Sequence, residues 1–268
     1  MNQCTIQACI LSALLLSPVF AAEQTGSDNH SATDLVKEDQ NPLTRLYAIR
    51  FEDNAQFGFG PDEDVLNFFR IQPLLPVNLN DDWSLLVRPI IPVVHQPWPE
   101  STDGLSDIVV ATFLTPARAG RFIWGVGPVL VLPTATDDRI GTEKWSAGPA
   151  MGGIYTSGPW VIGAVLQNVW SFAGEDDRQD VNVMTFRPHI SYNLPNGWYL
   201  SSSPSIAANW KAGGDDRWLV PLGGGVGKIF TIGGQRMSAL VESYYHVKSP
   251  AIGPDWQLRF QLTFLYPE

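Results

Sequence analysis

The chain has 268 residues, a formal net charge of −10, 44% hydrophobic and 16% charged residues, and ten tryptophans. Such an acidic balance excludes a nucleic-acid partner, because phosphate binding needs clustered Lys and Arg. No apolar stretch approaches the ~20 residues of a membrane-spanning helix, so a helical membrane protein is excluded as well.

At the N-terminus, Ile10 to Leu16 form a short apolar run, and Val19-Phe20-Ala21 suits a signal peptidase. Residues 1–21 therefore read as a signal peptide, although Met1 to Cys9 carry no Lys or Arg. Both cysteines, Cys4 and Cys9, would leave with it, so the mature chain is expected to hold no disulfide, thiol nucleophile or thiolate metal site. Residues 22–44 form an acidic segment whose composition predicts flexibility, placed either in the periplasm or inside the fold that follows.

From residue 45 to 268 the chain is punctuated into twelve predicted strands: 45–53, 65–76, 83–93, 105–114, 121–132, 144–155, 160–171, 181–192, 197–210, 217–230, 236–247 and 256–266. Connections alternate between tight turns and longer, acidic loops. An even strand count with alternating connection length predicts an all-β, transmembrane antiparallel up-and-down β-barrel with periplasmic termini in the outer membrane of a Gram-negative bacterium.

The last strand makes the case most directly. Trp256, Leu258, Phe260, Leu262, Phe264 and Tyr266 alternate with Gln257, Arg259, Gln261 and Thr263, which puts one face in oil and the other in a polar interior. In lipid such a strand needs partners on both edges, hence closure. With odd strands running outward, Trp83, Trp124, Trp160 and Trp198 fall at the periplasmic ends, and Trp145, Trp170, Trp210, Trp218 and Trp256 at the outer ends. These are the two aromatic girdles of a membrane barrel. Pro73, Pro89, Pro128, Pro149, Pro188, Pro204 and Pro221 fall inside strands, where a missing N–H predicts bulges and local shifts of register.

Several stretches carry a family resemblance: Ile71-Gln-Pro-Leu-Leu-Pro76, Arg88-Pro-Ile-Ile-Pro92, Gly125-Val-Gly-Pro128, Lys144-Trp-Ser-Ala-Gly-Pro149, Val169-Trp-Ser-Phe-Ala-Gly174, Pro221-Leu-Gly-Gly-Gly-Val-Gly227 and Pro254-Asp-Trp-Gln-Leu-Arg-Phe260. From about residue 41 onward the sequence resembles the bacterial outer-membrane transporter family labelled "MetA-pathway of phenol degradation", some of whose members carry the name neuromedin U. The resemblance implies a membrane barrel and a transport role. It supplies no ligand-binding residues.

Strand phase points Arg70, Arg88, Asp107, Arg187, His189, Glu242, His246 and Arg259 inward, as pore-lining candidates. Two readings remain open: a paired network that fills the lumen, or an arginine wall facing Asp107 and Glu242 whose field selects polar solutes. Gly125, Gly127, Gly148 and Gly152 share the inner face too, either leaving space for solute or relieving crowded backbone. Asp137-Asp-Arg139, Asp176-Asp-Arg178 and Asp215-Asp-Arg217 recur every 39 residues, at equivalent places in successive loops, as turn formers with local ion pairs or as a cation-attracting rim. His189-Ile-Ser191 has the spacing of a barrel lipase pair, but it lies near the periplasmic end without an orienting partner, so no enzyme activity is expected. The functional expectation is a passive channel or transporter for small, aromatic or anionic solutes. The alternatives are a structural or interaction barrel and, after it, a lipid hydrolase. No cofactor and no metal are expected. The expected partners are outer-membrane lipids, lipopolysaccharide and the assembly machinery.

Overall fold

The computed structural model describes residues Tyr47–Tyr266 except Ala119, so the expected signal peptide and acidic segment lie outside the described residues. Strands β1 (Tyr47–Phe59), β2 (Asp64–Asn78) and β3 (Trp83–Gln96) are followed by β4 (Thr102–Leu105), β5 (Ile108–Pro116), β6 (Phe122–Leu132) and β7 (Lys144–Ser157). Then come β8 (Trp160–Gly174), β9 (Asn182–Asn193), β10 (Trp198–Ser202), β11 (Ile206–Asn209), β12 (Trp218–Ile232), β13 (Gln235–Lys248) and β14 (Trp256–Tyr266). Both β4 and β5 pair with β3, one after the other along its length, and both β10 and β11 bridge β9 to β12. Each couple is thus one stave, broken at residues 106–107 and 203–205. Antiparallel pairing of β14 with β1 and of β12 with β13 closes the ring. The result is the expected closed antiparallel barrel of twelve staves.

Alternation decides the two faces. On β14, Gln257, Arg259, Gln261 and Thr263 are buried inside, while Trp256 and Phe260 stand 40% and 47% exposed outside. Outward aromatics gather at both ends of the staves. At the tight-turn end Trp83 meets Trp124 at 6.0 Å, Trp160 meets Tyr192 at 4.7 Å, and the Lys228 ammonium sits 4.8 Å over Trp198. At the loop end Phe57 stacks on Trp256 at 4.0 Å and Trp210 meets Trp218 at 5.8 Å. One outward carboxylate breaks the apolar pattern midway along β1: Asp53 accepts a hydrogen bond from Asn67 on β2 at 3.0 Å. The partner shields the charge where neighbouring outward side chains offer none.

The intrastrand prolines lie where the ladder opens. Pro128 faces Pro149 across β6–β7, and the pairings on the far side of each lapse, between Ala111/Val129 and Leu114/Val126 and between Ala147/Trp170 and Ala150/Gln167. Pro73 and Pro89 fall in the β2–β3 lapse between Ile71/Ile91 and Leu75/Val87. Pro221 marks a register shift and Pro204 splits β10 from β11. A missing N–H therefore costs no ladder bond at these points.

At two of these lapses the inner-face glycines relieve crowding. A Cβ at Gly148 would lie 1.7 Å from the Asn168 carbonyl oxygen, and one at Gly127 would lie 2.0 Å from that of Thr112. Only backbone could yield. Gly148→Ala is expected to lower the thermal midpoint of the folded, heat-modifiable form, by the ~1–3 kcal/mol of an overpacked site. Gly213→Ala, at a position with no atom within 4 Å of the added Cβ, serves as the neutral control. Equal midpoints for the two variants would show that the contact at Gly148 yields freely.

Candidate functional site

Between the two aromatic girdles the inner wall carries a belt of charge. Arg50 and Glu52 come from β1, Arg70 from β2, Arg88 from β3, Arg187 and His189 from β9, Glu242 from β13 and Arg259 from β14. Strand register creates two ion pairs directly. Glu52 stands opposite Arg70 and Glu242 opposite Arg259, and each carboxylate accepts from the arginine beside it, the Arg259 Nε bond being 2.8 Å. Arg259 also donates to the Ser203 carbonyl at 3.1 Å and to the Tyr244 hydroxyl at 3.0 Å. Arg88 donates to Gln72, and Arg187 Nε donates to Ser205 Oγ at 2.6 Å. Glu52, Arg70, Arg88, Arg187, Glu242 and Arg259 are each less than 5% exposed, so water barely reaches the belt.

The charges reach one another across the barrel. β9 stands opposite β2 in the ring, and Arg187 interacts electrostatically with Arg259, Glu52 and Arg70. Among the described residues the belt sets five arginines against two glutamates. The remaining arc, β5 to β8, is mainly apolar inside, with Val109, Phe113, Ile123, Val131, Ala150 and Val169 buried beside the polar Thr115, Ser146 and Gln167 and the cation Lys144. One side of the lumen is thus lined by arginines and the other mainly by hydrocarbon.

The eight residues singled out from sequence do not all belong to this belt. Arg70, Arg88, Arg187, His189, Glu242 and Arg259 do. His246 holds the loop after β13: one ring nitrogen lies 2.8 Å from the Pro254 carbonyl and the other 3.3 Å from Gln257 Oε1. Asp107, expected as a wall charge, sits in the break between β4 and β5. It accepts from Thr142 N at 2.7 Å, Thr142 Oγ1 at 2.6 Å and Ala135 N at 3.3 Å, and so anchors the loop of residues 133–143, whose Ile140 is fully buried. Its charge faces donors of that loop and not the arginine wall. Asp107→Asn turns a donor toward the Thr142 N–H and is expected to free the loop, since charge-assisted bonds contribute about 1.5–3 kcal/mol each. Trypsin cleavage after Arg139 should accelerate at least tenfold in the folded variant. An unchanged rate would show that Asp107 does not hold the loop.

The belt residues missed from sequence are Arg50 and Glu52. Their signal was present: they alternate with outward Ile49, Phe51 and Asp53. The three Asp-Asp-Arg motifs combine local and cross-loop pairing. Arg139 holds its own Asp137 at 2.8 Å but also Glu100 at 2.6 Å. Arg178 reaches back to Glu143 at 2.9 Å, and Asp215 meets Lys248 at 2.5 Å. The loops are therefore laced into a collar. Among the described residues no cluster of His, Cys, Asp and Glu could hold a metal ion. Ser191, the second member of the His-x-Ser spacing, points inward and donates to the Leu200 carbonyl at 2.9 Å.

No protein-family model and no curated protein matches the sequence. Solved structures do match in fold. The chain is similar to an outer-membrane channel from Pseudomonas putida F1, with a TM-score of 0.64 and 14% identity over 91% of this chain and 100% of that one. It is also similar to the NanC porin, with a TM-score of 0.54 and 7% identity over 83% of this chain and all of the porin.

Proposed function

We propose that the protein is a passive outer-membrane channel for small anionic solutes, those with an apolar or aromatic body included. The observation that carries this reading is the belt: five inward arginines against two inward glutamates, facing a mainly apolar arc. Such a wall prefers anions despite the chain's net charge of −10. Charges in a narrow, low-dielectric constriction act at short range, whereas loop carboxylates are screened beyond a Debye length of ~8 Å in physiological salt. Two aromatic girdles around a closed barrel support the membrane location, and the fold likeness to outer-membrane channels agrees with it. The motif resemblance to the phenol-degradation family is compatible with an aromatic solute.

Planar-bilayer recording on purified protein tests the reading. Single channels with a reversal potential toward the chloride equilibrium value under a KCl gradient are expected. Folded protein that inserts and conducts nothing would instead favour a structural barrel. Nothing in the belt resembles catalytic machinery, because each carboxylate is paired with an arginine and Ser191 is bonded to backbone.

A further inference from the structure

The break between β10 and β11 does more than interrupt a stave. Ser203-Pro204-Ser205 leaves the ladder between the pairs Ser202/Ile190 and Ile206/Phe186, and polar side chains of the lumen hold it. The Tyr244 hydroxyl accepts from Ser203 N at 2.8 Å, Arg259 binds the Ser203 carbonyl, and Ser205 Oγ accepts from Arg187 Nε. Proline at the centre of the break removes an N–H that would otherwise lack a ladder partner.

The arginines of the belt are committed unequally. One terminal nitrogen of Arg259, Nη2, is used on Glu242, Ser203 and Tyr244, and Arg70 is held by Glu52. Arg187 is tied only through Nε. Both of its terminal nitrogens have no hydrogen-bond partner, although the residue is 97% buried (3% exposed). The hydroxyls of Ser203 and of Thr185, the next inward position on β9, lack partners as well. A guanidinium whose Nε is fixed presents its two remaining N–H directions as a preformed fork. That geometry matches the two oxygens of a carboxylate. Among the charges that act on it the strongest is Arg259, a second cation whose repulsion an arriving anion relieves.

We propose that Arg187, with the hydroxyls of Ser203 and Ser205, forms an oxyanion seat at the constriction that takes the carboxylate of a small organic acid in bidentate fashion. The mainly apolar arc β5 to β8 then accommodates the body of that acid. The seat rests on the channel reading for its biological sense, but its chemistry can be tested separately. Inorganic phosphate would satisfy the same donors, so the probe pair is benzoate and phosphate, with neutral benzyl alcohol as the control.

Full-length mature protein in detergent is titrated calorimetrically with each probe, beside Arg187→Lys and Ser205→Ala. Heat-modifiable mobility on gels confirms that each variant is folded. Lysine keeps the charge and loses the fork, so Arg187→Lys should lose at least tenfold in benzoate affinity. Ser205→Ala frees Nε, and about a threefold to tenfold loss is expected. Benzoate binding equally well to native and Arg187→Lys protein, or benzyl alcohol binding as tightly as benzoate, would overturn the seat. Phosphate binding with benzoate excluded would overturn the organic-acid assignment. Arg187-dependent benzoate binding in a protein that conducts nothing would support the seat while removing the channel reading. Anion-selective conductance without saturable benzoate binding would do the reverse.

Discussion

Replacing Phe264 and Tyr266 together with aspartate is expected to abolish the folded barrel. Both side chains point outward from β14, the strand that closes the ring against β1. Phe264 stands opposite Ile49 and Met237 and meets the Phe51 ring edge-on at 5.9 Å, and Tyr266 stands opposite Tyr47. Each substitution removes aromatic burial and puts a carboxylate where apolar side chains and lipid surround it. A lipid-facing charge at the midplane costs about 2–4 kcal/mol for a cation and less for an acid or near the interface. The two changes add to the loss of the aromatic contacts, and together they are comparable with the 5–15 kcal/mol that holds a typical domain. The native protein should migrate faster on gels when unheated, and the double variant should show only the heated mobility. Gln261→Asn and Thr263→Ser, inward on the same strand, should leave that mobility intact. A double variant that folds stably in water without detergent would overturn the membrane reading.

Much of this architecture was legible because a barrel strand writes its two environments into alternate residues. β14 shows it from Trp256 to Phe264, with Leu265 as the one apolar residue on its inner face, and the stave count, turn positions and aromatic ends followed from the same period. Breaks in two staves were not visible as breaks, since 105–114 and 197–210 each read as continuous strands. The cue was chemical and not periodic: Ser201-Ser-Ser-Pro-Ser205 places a proline in a serine run that can bond the lumen in place of the ladder. Pairing inside the belt was hidden for another reason. Glu52 meets Arg70 because the loop after β1 spans only residues 60–63 and a shift of register between Phe57 and Phe59 sets the final phase. A one-residue slip would have turned every side chain of the strand to the other face. Likewise the 39-residue recurrence of Asp-Asp-Arg was plain in the sequence, while its cross-loop ties depend on how neighbouring staves are staggered.

The Glu52–Arg70 pair also yields a charge series whose outcome the sequence alone would have misjudged. Arg70→Gln leaves the Glu52 carboxylate without its ion partner, so the constriction loses a cation and gains an uncompensated anion. One unit charge about 8 Å from a permeating ion, at an effective dielectric constant of ~20, contributes about 2 kcal/mol before screening. The chloride-to-potassium permeability ratio should therefore fall by about tenfold. Glu52→Gln should move the ratio the opposite way. The double variant removes a neutral pair and should return close to the native ratio, with a stability change smaller than that of either single variant, because breaking a buried pair costs more than deleting it whole. Reversal potentials in a fixed KCl gradient measure all four proteins. If the double variant instead shows the sum of two shifts in one direction, the two groups do not act on the permeating ion as a pair. If none of the three variants departs from native, the belt does not line the conducting path.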